Sequence, residues 1–342
     1  MIRVLVVGLG QMGQSHALAY AADPAYQLVG LVNRSPVALP DALAHIELEH
    51  DFETALARLN PDMVAIATYS DSHAALAVKS MQAGAHVFVE KPLATTVADC
   101  KRVAQVAMET HRKLMVGHIL RHHPTWQALI AEARALHGPY VFRLNLNQRS
   151  SGPAWDIHKA LMQSTPPIVD CGVHYVDVMC QITDAAPVEV RGMGLRLSDE
   201  IAPDMYNYGH FQVIFDDGSC GWYEAGWGPM MSETAHFVKD VVSPGGAVSL
   251  RAPQDIGSAD VEGHTAADQL IVAPTGQGEV KRNFPDSPGH QGLCDRQAAA
   301  MARAIDQGDD LSRHVEDAVR SVAICLAADE SVRSGAPVRL KP

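Results

Sequence analysis

A strand that runs into G-x-G-x-x-G and out into a helix constrains this chain more than any other stretch. Ile2 to Val7 is an unbroken apolar β run, Gly8-Leu9-Gly10-Gln11-Met12-Gly13 follows, and Ser15 to Ala22 continues as helix. The first glycine permits a tight turn, the second lets the backbone approach a pyrophosphate, and the third lets helix and strand pack closely. Free N–H groups at the helix start then hold the phosphates. The spacing alone is a weak signal. Its setting, with a strand before it, a helix after it and a second strand at Gln27 to Val32, makes it a candidate dinucleotide site.

The second strand ends at Asn33-Arg34-Ser35, twenty residues past Gly13, where a site for NAD usually places an acid on the adenosine ribose. No acid is there. Asn33 donates a hydrogen bond without repelling a 2′-phosphate, and the Arg34 guanidinium pairs with that phosphate or stacks on adenine. The residues favour NADP over NAD; the competing reading is that Arg34 only covers the adenine and either cofactor serves.

Strands and helices keep alternating: helix Phe52 to Leu59, strand Met63 to Thr68, a helix starting at Ser70-Asp71-Ser72-His73, strand His86 to Glu90, helix Val97 to Thr110 and strand Lys113 to Gly117. Such alternation predicts a parallel, doubly wound sheet. In Phe88-Val89-Glu90-Lys91-Pro92 the charged pair leaves the strand at its carboxyl end, where open α/β sheets place their ligands, and the proline restricts the backbone of Lys91. His73 is placed to approach a cofactor from its turn; a structural histidine at a helix start fits the sequence equally well.

After Pro124 the alternation stops, which divides the chain into a nucleotide-binding domain over 1–122 and an α+β domain over 123–342. Helix Thr125 to Leu136 and strand Tyr140 to Leu146 lead to a loop at Ser150-Ser151-Gly152-Pro153, with Trp155 and His158 just beyond. Polar aromatic groups suit a sugar face, although packing is the commoner role of a tryptophan. From Asp170 on, Val173, Val176, Met179 and Ile182 have helical spacing, so Asp170 and His174 share one face. A carboxylate beside imidazole orients it and lets it exchange a proton near neutral pH. The bland alternative is an N-cap and a packed histidine. Gly172 in the first turn implies a close approach by something. Alternating runs at 188–197, 208–215, 220–227, 236–242, 247–251 and 269–273 predict a largely antiparallel sheet, with Asp216-Asp217-Gly218 as a hairpin turn. Helices over Gln297 to Ile305 and Val315 to Arg333 close the fold.

Composition narrows the function classes. With 342 residues, of which 47% are hydrophobic, the chain is long enough for two packed cores. A net charge of −12 argues against nucleic-acid or anionic-membrane surfaces, which need clustered Lys and Arg. The six cysteines form no C-x-x-C pair, the opening run is too short for a signal segment, and no apolar run reaches the ~20 residues of a spanning helix, so a reduced cytoplasmic setting is expected. His118 and His122 are four apart but read as strand-to-loop residues on no common helical face, Cys171 with His174 lacks further spaced ligands, and no metal is expected.

The runs Gly8 to Ala17, Ala83 to Ala94 and Gly117 to Pro124, together with Asp170 to Asp177, resemble the glucose–fructose oxidoreductase, inositol dehydrogenase and rhizopine catabolism protein family, Gfo/Idh/MocA. Two positions depart from its pattern: His122, where an aromatic residue is usual, and Tyr69, where proline commonly follows Thr68. The resemblance implies a Rossmann domain that binds NADP or NAD through Gly8, Gly10, Gln11, Met12 and Gly13. It further implies cofactor contacts from Asn33, Arg34, Thr68, His73 and Glu90. Lys91, also against the cofactor, Asp170 and His174 are the implied catalytic groups, and Arg121, Trp155 and His158 the candidate substrate contacts. The implied activity is hydride transfer between nicotinamide and a secondary alcohol or ketone of a sugar, cyclitol or related polyol. One face of the C-terminal sheet then receives substrate and the other builds a homodimer or homotetramer. An NAD-dependent glycosidase and a non-catalytic cofactor-binding sensor are the alternatives.

Overall fold

The computed structural model describes residues 1–253, 257–258 and 265–340. It divides into two compact units, residues 1–119 with 290–322, and residues 120–289 with 323–342. The segment expected to form one domain over 123–342 is therefore not contiguous in its packing. His290–Val322 joins the first unit, where the Tyr26 hydroxyl donates to the Ala298 carbonyl at 2.7 Å.

The first unit alternates as expected: β1 (Ile2–Val7), α1 (Gln11–Ala22), β2 (Tyr26–Val32), β3 (Leu48–Glu49), α2 (Phe52–Leu59), β4 (Met63–Ile66), α3 (Ser70–Gln82), β5 (His86–Val89), α4 (Val97–Thr110) and β6 (Leu114–Val116). Its six strands are ordered β3-β2-β1-β4-β5-β6 and all pair in parallel. The strand order reverses between β1 and β4, the switch point outside which open α/β sheets place ligands at the carboxyl ends of the strands. β4 and, past His86, β5 are apolar on both faces, as a strand covered by helices requires, and Val64, Ile66, Val87, Phe88 and Val89 are fully buried. Local signals set the helix ends: Asp51 caps α2 through the Thr54 amide at 2.8 Å, and Thr96 caps α4 through the Asp99 amide at 3.0 Å.

The second unit contains α5 (Pro124–Leu136), β7 (Val141–Gln148), α6 (Pro153–Leu161), α7 (Pro167–Asp170), α8 (Gly172–Ile182), β8 (Pro187–Leu195), β9 (Tyr208–Phe215), β10 (Cys220–Trp227), β11 (Lys239–Ser243), β12 (Gly246–Arg251), β13 (Gln269–Pro274) and β14 (Val280–Asn283). Then α9 (His290–Gln307) lies in the first unit, α10 (Ser312–Ser334) runs across the boundary between the two groupings, and β15 (Val338–Arg339) ends the second. The nine strands are ordered β14-β13-β12-β11-β7-β10-β9-β8-β15. All pairs are antiparallel except β7 with β10, so the sheet is mostly antiparallel but mixed. Helices α5, α7 and α8 cover one face. On β8 the other face carries Met193 and Leu195, 67% and 58% exposed. No helix among the described residues is long and apolar enough to cross a membrane.

Candidate functional site

At the carboxyl end of β1 the chain turns through Gly8 with φ +87°, a value that favours glycine. A Cβ on Gly8 would lie 2.5 Å from the Ala67 carbonyl oxygen, and one on Gly13 would lie 1.8 Å from the Gly8 carbonyl oxygen. The first and third glycines thus let α1 start against the strand. Gly10 differs: nothing lies within 4 Å of the place its Cβ would take, and it begins α1 with no side-chain cap and no acid in the first turn. The helix therefore starts with room beside Gly10 and no acid in its own first turn to repel an anion, which fits a pyrophosphate. Gly10, Gln11 and Met12 are the residues that would hold it.

Asn33 sits at the end of β2, but both ends of its amide are engaged within the loop. Its Oδ1 accepts from the Leu9 amide at 3.0 Å, and its Nδ2 donates to the Ser35 carbonyl at 2.7 Å. It shapes the glycine turn, and Nδ2 has a second hydrogen with which to meet a ribose oxygen. Arg34 beside it is exposed, with no acid in its place.

Lys91 follows β5 at the carboxyl edge of the sheet, and its amide donates to Glu90 Oε2 at 3.1 Å. Glu90 is not an open cofactor contact: it is 6% exposed, and its Oε1 lies 2.7 Å from His16 Nε2. Burial works against its charge, yet the His16 hydrogen bond and charge, the Lys91 charge and the Lys91 amide together hold its carboxyl below the ordinary value. A Cβ at Gly117, just past β6, would meet Glu90 Oε1 at 2.9 Å, so that glycine makes the room. His73 is likewise internal. It is 1% exposed, with Nδ1 2.8 Å from the Pro92 carbonyl oxygen and Nε2 3.1 Å from that of Thr68. Burial holds its imidazole below the usual value against the pull of those carbonyls. It ties the loop after β4 to the Lys91–Pro92 turn instead of reaching a ligand. The Thr68 hydroxyl is 2.7 Å from that of Ser72.

In the second unit the expected continuous helix from Asp170 is interrupted. Asp170 ends α7, Cys171 is the junction, and the His174 amide donates to the Cys171 carbonyl at 3.2 Å, three residues back rather than four. Asp170 is half-buried and His174 is 7% exposed. The close approach inferred at Gly172 comes from packing: its Cβ would lie 3.0 Å from Cys325 Sγ and 3.4 Å from the Tyr223 ring.

His158 lies on α6, a helix that the turn residues before it disguise. Its ring stacks on Trp227 at 4.3 Å and 8°, and its Nδ1 is 2.9 Å from Ser150 Oγ. Trp227 Nε1 donates to Gln148 Oε1 at 2.8 Å. Burial pushes the His158 imidazole down to about 4, although the Asp170 charge pulls upward, so His158 is a neutral ring within the electrostatic reach of Asp170. The two other expected substrate contacts have partners within the second unit. Arg121 donates from Nε and Nη2 to Asp177 at 2.8 and 2.6 Å, and that carboxylate is fully buried. Trp155 is 5% exposed and donates to Glu200 at 3.2 Å, with Lys159 Nζ 5.8 Å from its ring. Sequence reasoning missed His16, Gln148 and Lys239, whose partners are remote along the chain. Among the described residues no three His, Cys, Asp or Glu side chains group as metal ligands.

Residues 2–118 match the sequence model of an oxidoreductase family with an NAD-binding Rossmann fold. The UDP-N-acetylglucosamine 3-dehydrogenase of Acidithiobacillus ferrooxidans is 28% identical over 194 residues, 57% of this chain and 58% of that enzyme. The matched segment thus spans little more than half of that relative. The scyllo-inositol 2-dehydrogenase (NAD(+)) of Bacillus subtilis is 23% identical over 99% of this chain and 96% of its own. Among solved structures, a putative myo-inositol dehydrogenase from Sinorhizobium meliloti shares the fold at TM-score 0.78 and 20% identity, with both chains covered completely. A glycine turn that fits a dinucleotide, a lysine delivered at the end of β5 and the family match lead to one assignment: residues 2–118 are an NAD-binding Rossmann domain of the Gfo/Idh/MocA oxidoreductase family, in a chain that shares its fold with the inositol dehydrogenase structure over its whole length.

Proposed function

We propose that the chain is an NAD(P)-dependent dehydrogenase that moves a hydride between nicotinamide and a secondary alcohol or ketone of a sugar, cyclitol or related polyol. The observation that carries this reading is the Lys91 turn. It lies at the carboxyl edge of a β3-β2-β1-β4-β5-β6 sheet, and its backbone is held by a buried glutamate. The inositol dehydrogenase that aligns over nearly the whole chain supports the substrate class and favours a dehydrogenase over a glycosidase of the same fold.

The bound cofactor supplies the hydride acceptor or donor. The chain must then handle the proton. His174 takes it from the alcohol, oriented by Asp170, and Lys91 donates a hydrogen bond to the same oxygen, stabilising alkoxide charge as it develops. His158, neutral and stacked on Trp227, forms part of the substrate wall. Arg34, exposed where an acid would repel a 2′-phosphate, supports NADP over NAD. Six cysteines without a disulfide fit a cytoplasmic setting, and exposed Met193 and Leu195 support a homodimer or homotetramer through the open face of the nine-stranded sheet.

A panel of myo-inositol, scyllo-inositol, aldoses and their keto derivatives, read at 340 nm with NAD and with NADP, tests the activity. Lys91→Ala and His174→Ala are expected to keep cofactor binding and lose turnover by roughly 10² or more. Near-normal turnover in both variants refutes the assignment.

A further inference from the structure

Among the described residues Lys239, at the start of β11, is the one lysine or arginine that is buried, at 2% exposure. Its ammonium donates to the Asn145 carbonyl oxygen, with Asn145 Oδ1 at 3.4 Å. It lies 4.5 Å from the centre of the Tyr175 ring and 4.7 Å from that of Phe237. No carboxylate of the described residues pairs with it, and the ionisable group that acts on it is the Cys171 thiol. A buried cation without a counter-charge is costly, and a methylene chain ending in a methyl-like group would fill the same space without that cost. What the ammonium touches explains its place. Tyr175 follows His174 directly, and Cys171 follows Asp170 directly.

We propose that Lys239 is a positioning residue for the Asp170–His174 turn: its ammonium, gripped by the Tyr175 and Phe237 rings and anchored on Asn145, fixes the α7–α8 junction that carries both reacting groups. A cation between aromatic faces in a desolvated site holds the rings more firmly than an apolar side chain does. The proposal rests on the reading of Asp170 and His174 as the proton-handling pair.

The charge is conditional. Burial lowers the Lys239 amine from its ordinary value to about 7, with Cys171 opposing. The groups that face it are Cys171 from the α7–α8 junction, Tyr175 from α8, Asn145 from β7 and Phe237 from the segment before β11. Burial raises the Tyr175 phenol well above its ordinary range, so it stays neutral throughout. The grip is therefore present below pH 7 and fades above it, whereas an arginine at this position keeps its charge at every working pH.

The test uses the full-length enzyme with NAD and the fastest substrate of the panel above, comparing wild type, Lys239→Met, Lys239→Arg and His174→Ala. Lys239→Met is expected to lose about tenfold or more in kcat with an unchanged KM for NAD and a Tm no lower than wild type. A merely structural lysine would instead lower Tm. Lys239→Arg is expected to restore kcat and to lack the fall in kcat that the proposal predicts for wild type above pH 7. The proposal is overturned if a folded Lys239→Met keeps kcat within twofold or melts below wild type, or if Lys239→Arg stays slow or keeps the alkaline fall. Should the methionine variant not fold, the arginine pH profile decides alone. Full turnover in His174→Ala would sink the catalytic reading itself, a result separate from any outcome at Lys239.

Discussion

Replacing Glu90 separates what holds the Lys91 turn from what reacts there. Glu90 is nearly buried and makes two hydrogen bonds, one with His16 Nε2 at 2.7 Å and one from the Lys91 amide at 3.1 Å. Glu90→Ala removes both and strands His16 in the interior, where breaking a buried pair costs about 3–5 kcal/mol. Glu90→Gln keeps the volume. Its Oε1 still accepts from the Lys91 amide and its NH₂ donates to His16 once the imidazole carries its proton on Nδ1, so only the charge is lost, at about 1–2 kcal/mol. Urea melts of the three proteins measure both differences. Because the folded carboxyl titrates below its ordinary value, its contribution is complete above the unfolded value of about 4.3 and disappears as pH falls through the folded one. The gap between wild type and Glu90→Gln should hold steady from pH 7 to pH 5 and shrink below that ordinary carboxyl range. Glu90→Ala within about 1 kcal/mol of wild type would refute the buried-pair reasoning.

Two further outcomes concern residues whose expected roles the structure changed or left exposed. Arg121→Met should destabilise the second unit by about 3 kcal/mol or more without altering cofactor affinity, as tested by melts and NAD titration, because it leaves the fully buried Asp177 without its two-point partner. Arg34→Ala should lower kcat/KM for NADP relative to NAD by about tenfold, since one charge-assisted phosphate contact is lost; an unchanged ratio would remove the basis for the NADP preference.

The parts of the fold legible in the sequence are those that local patterning determines. Helices Phe52–Leu59 and Val97–Thr110 and strands Tyr208–Phe215 and Cys220–Trp227 fall where periodicity and turn residues place them. Helix α6 was hidden because Ser150-Ser151-Gly152-Pro153 reads as a loop, while Pro153 is in fact the first helical residue, a position that needs no amide. The parallel pairing of β7 with β10, 79 residues apart at Val141 and Cys220, carries no local signal, nor does the return of α9 to the first unit. The site divides in the same way. Motif spacing singled out the glycine turn, Lys91, Asp170 and His174 as candidates. The partners that decide what each side chain is free to do lie far off in sequence: His16 is 74 residues from Glu90, and Pro92 is 19 from His73. Those contacts engage Glu90, His73 and one hydrogen of the Asn33 amide inside the protein.

A crystal structure with NAD(H) and a slow polyol substrate bound measures the central claim most directly. Lys91 Nζ and a ring nitrogen of His174 should both lie within about 3.2 Å of the same substrate oxygen, next to the nicotinamide. If the two nitrogens face different cavities, or the substrate oxygen contacts neither, the dehydrogenase mechanism assigned to these residues is wrong.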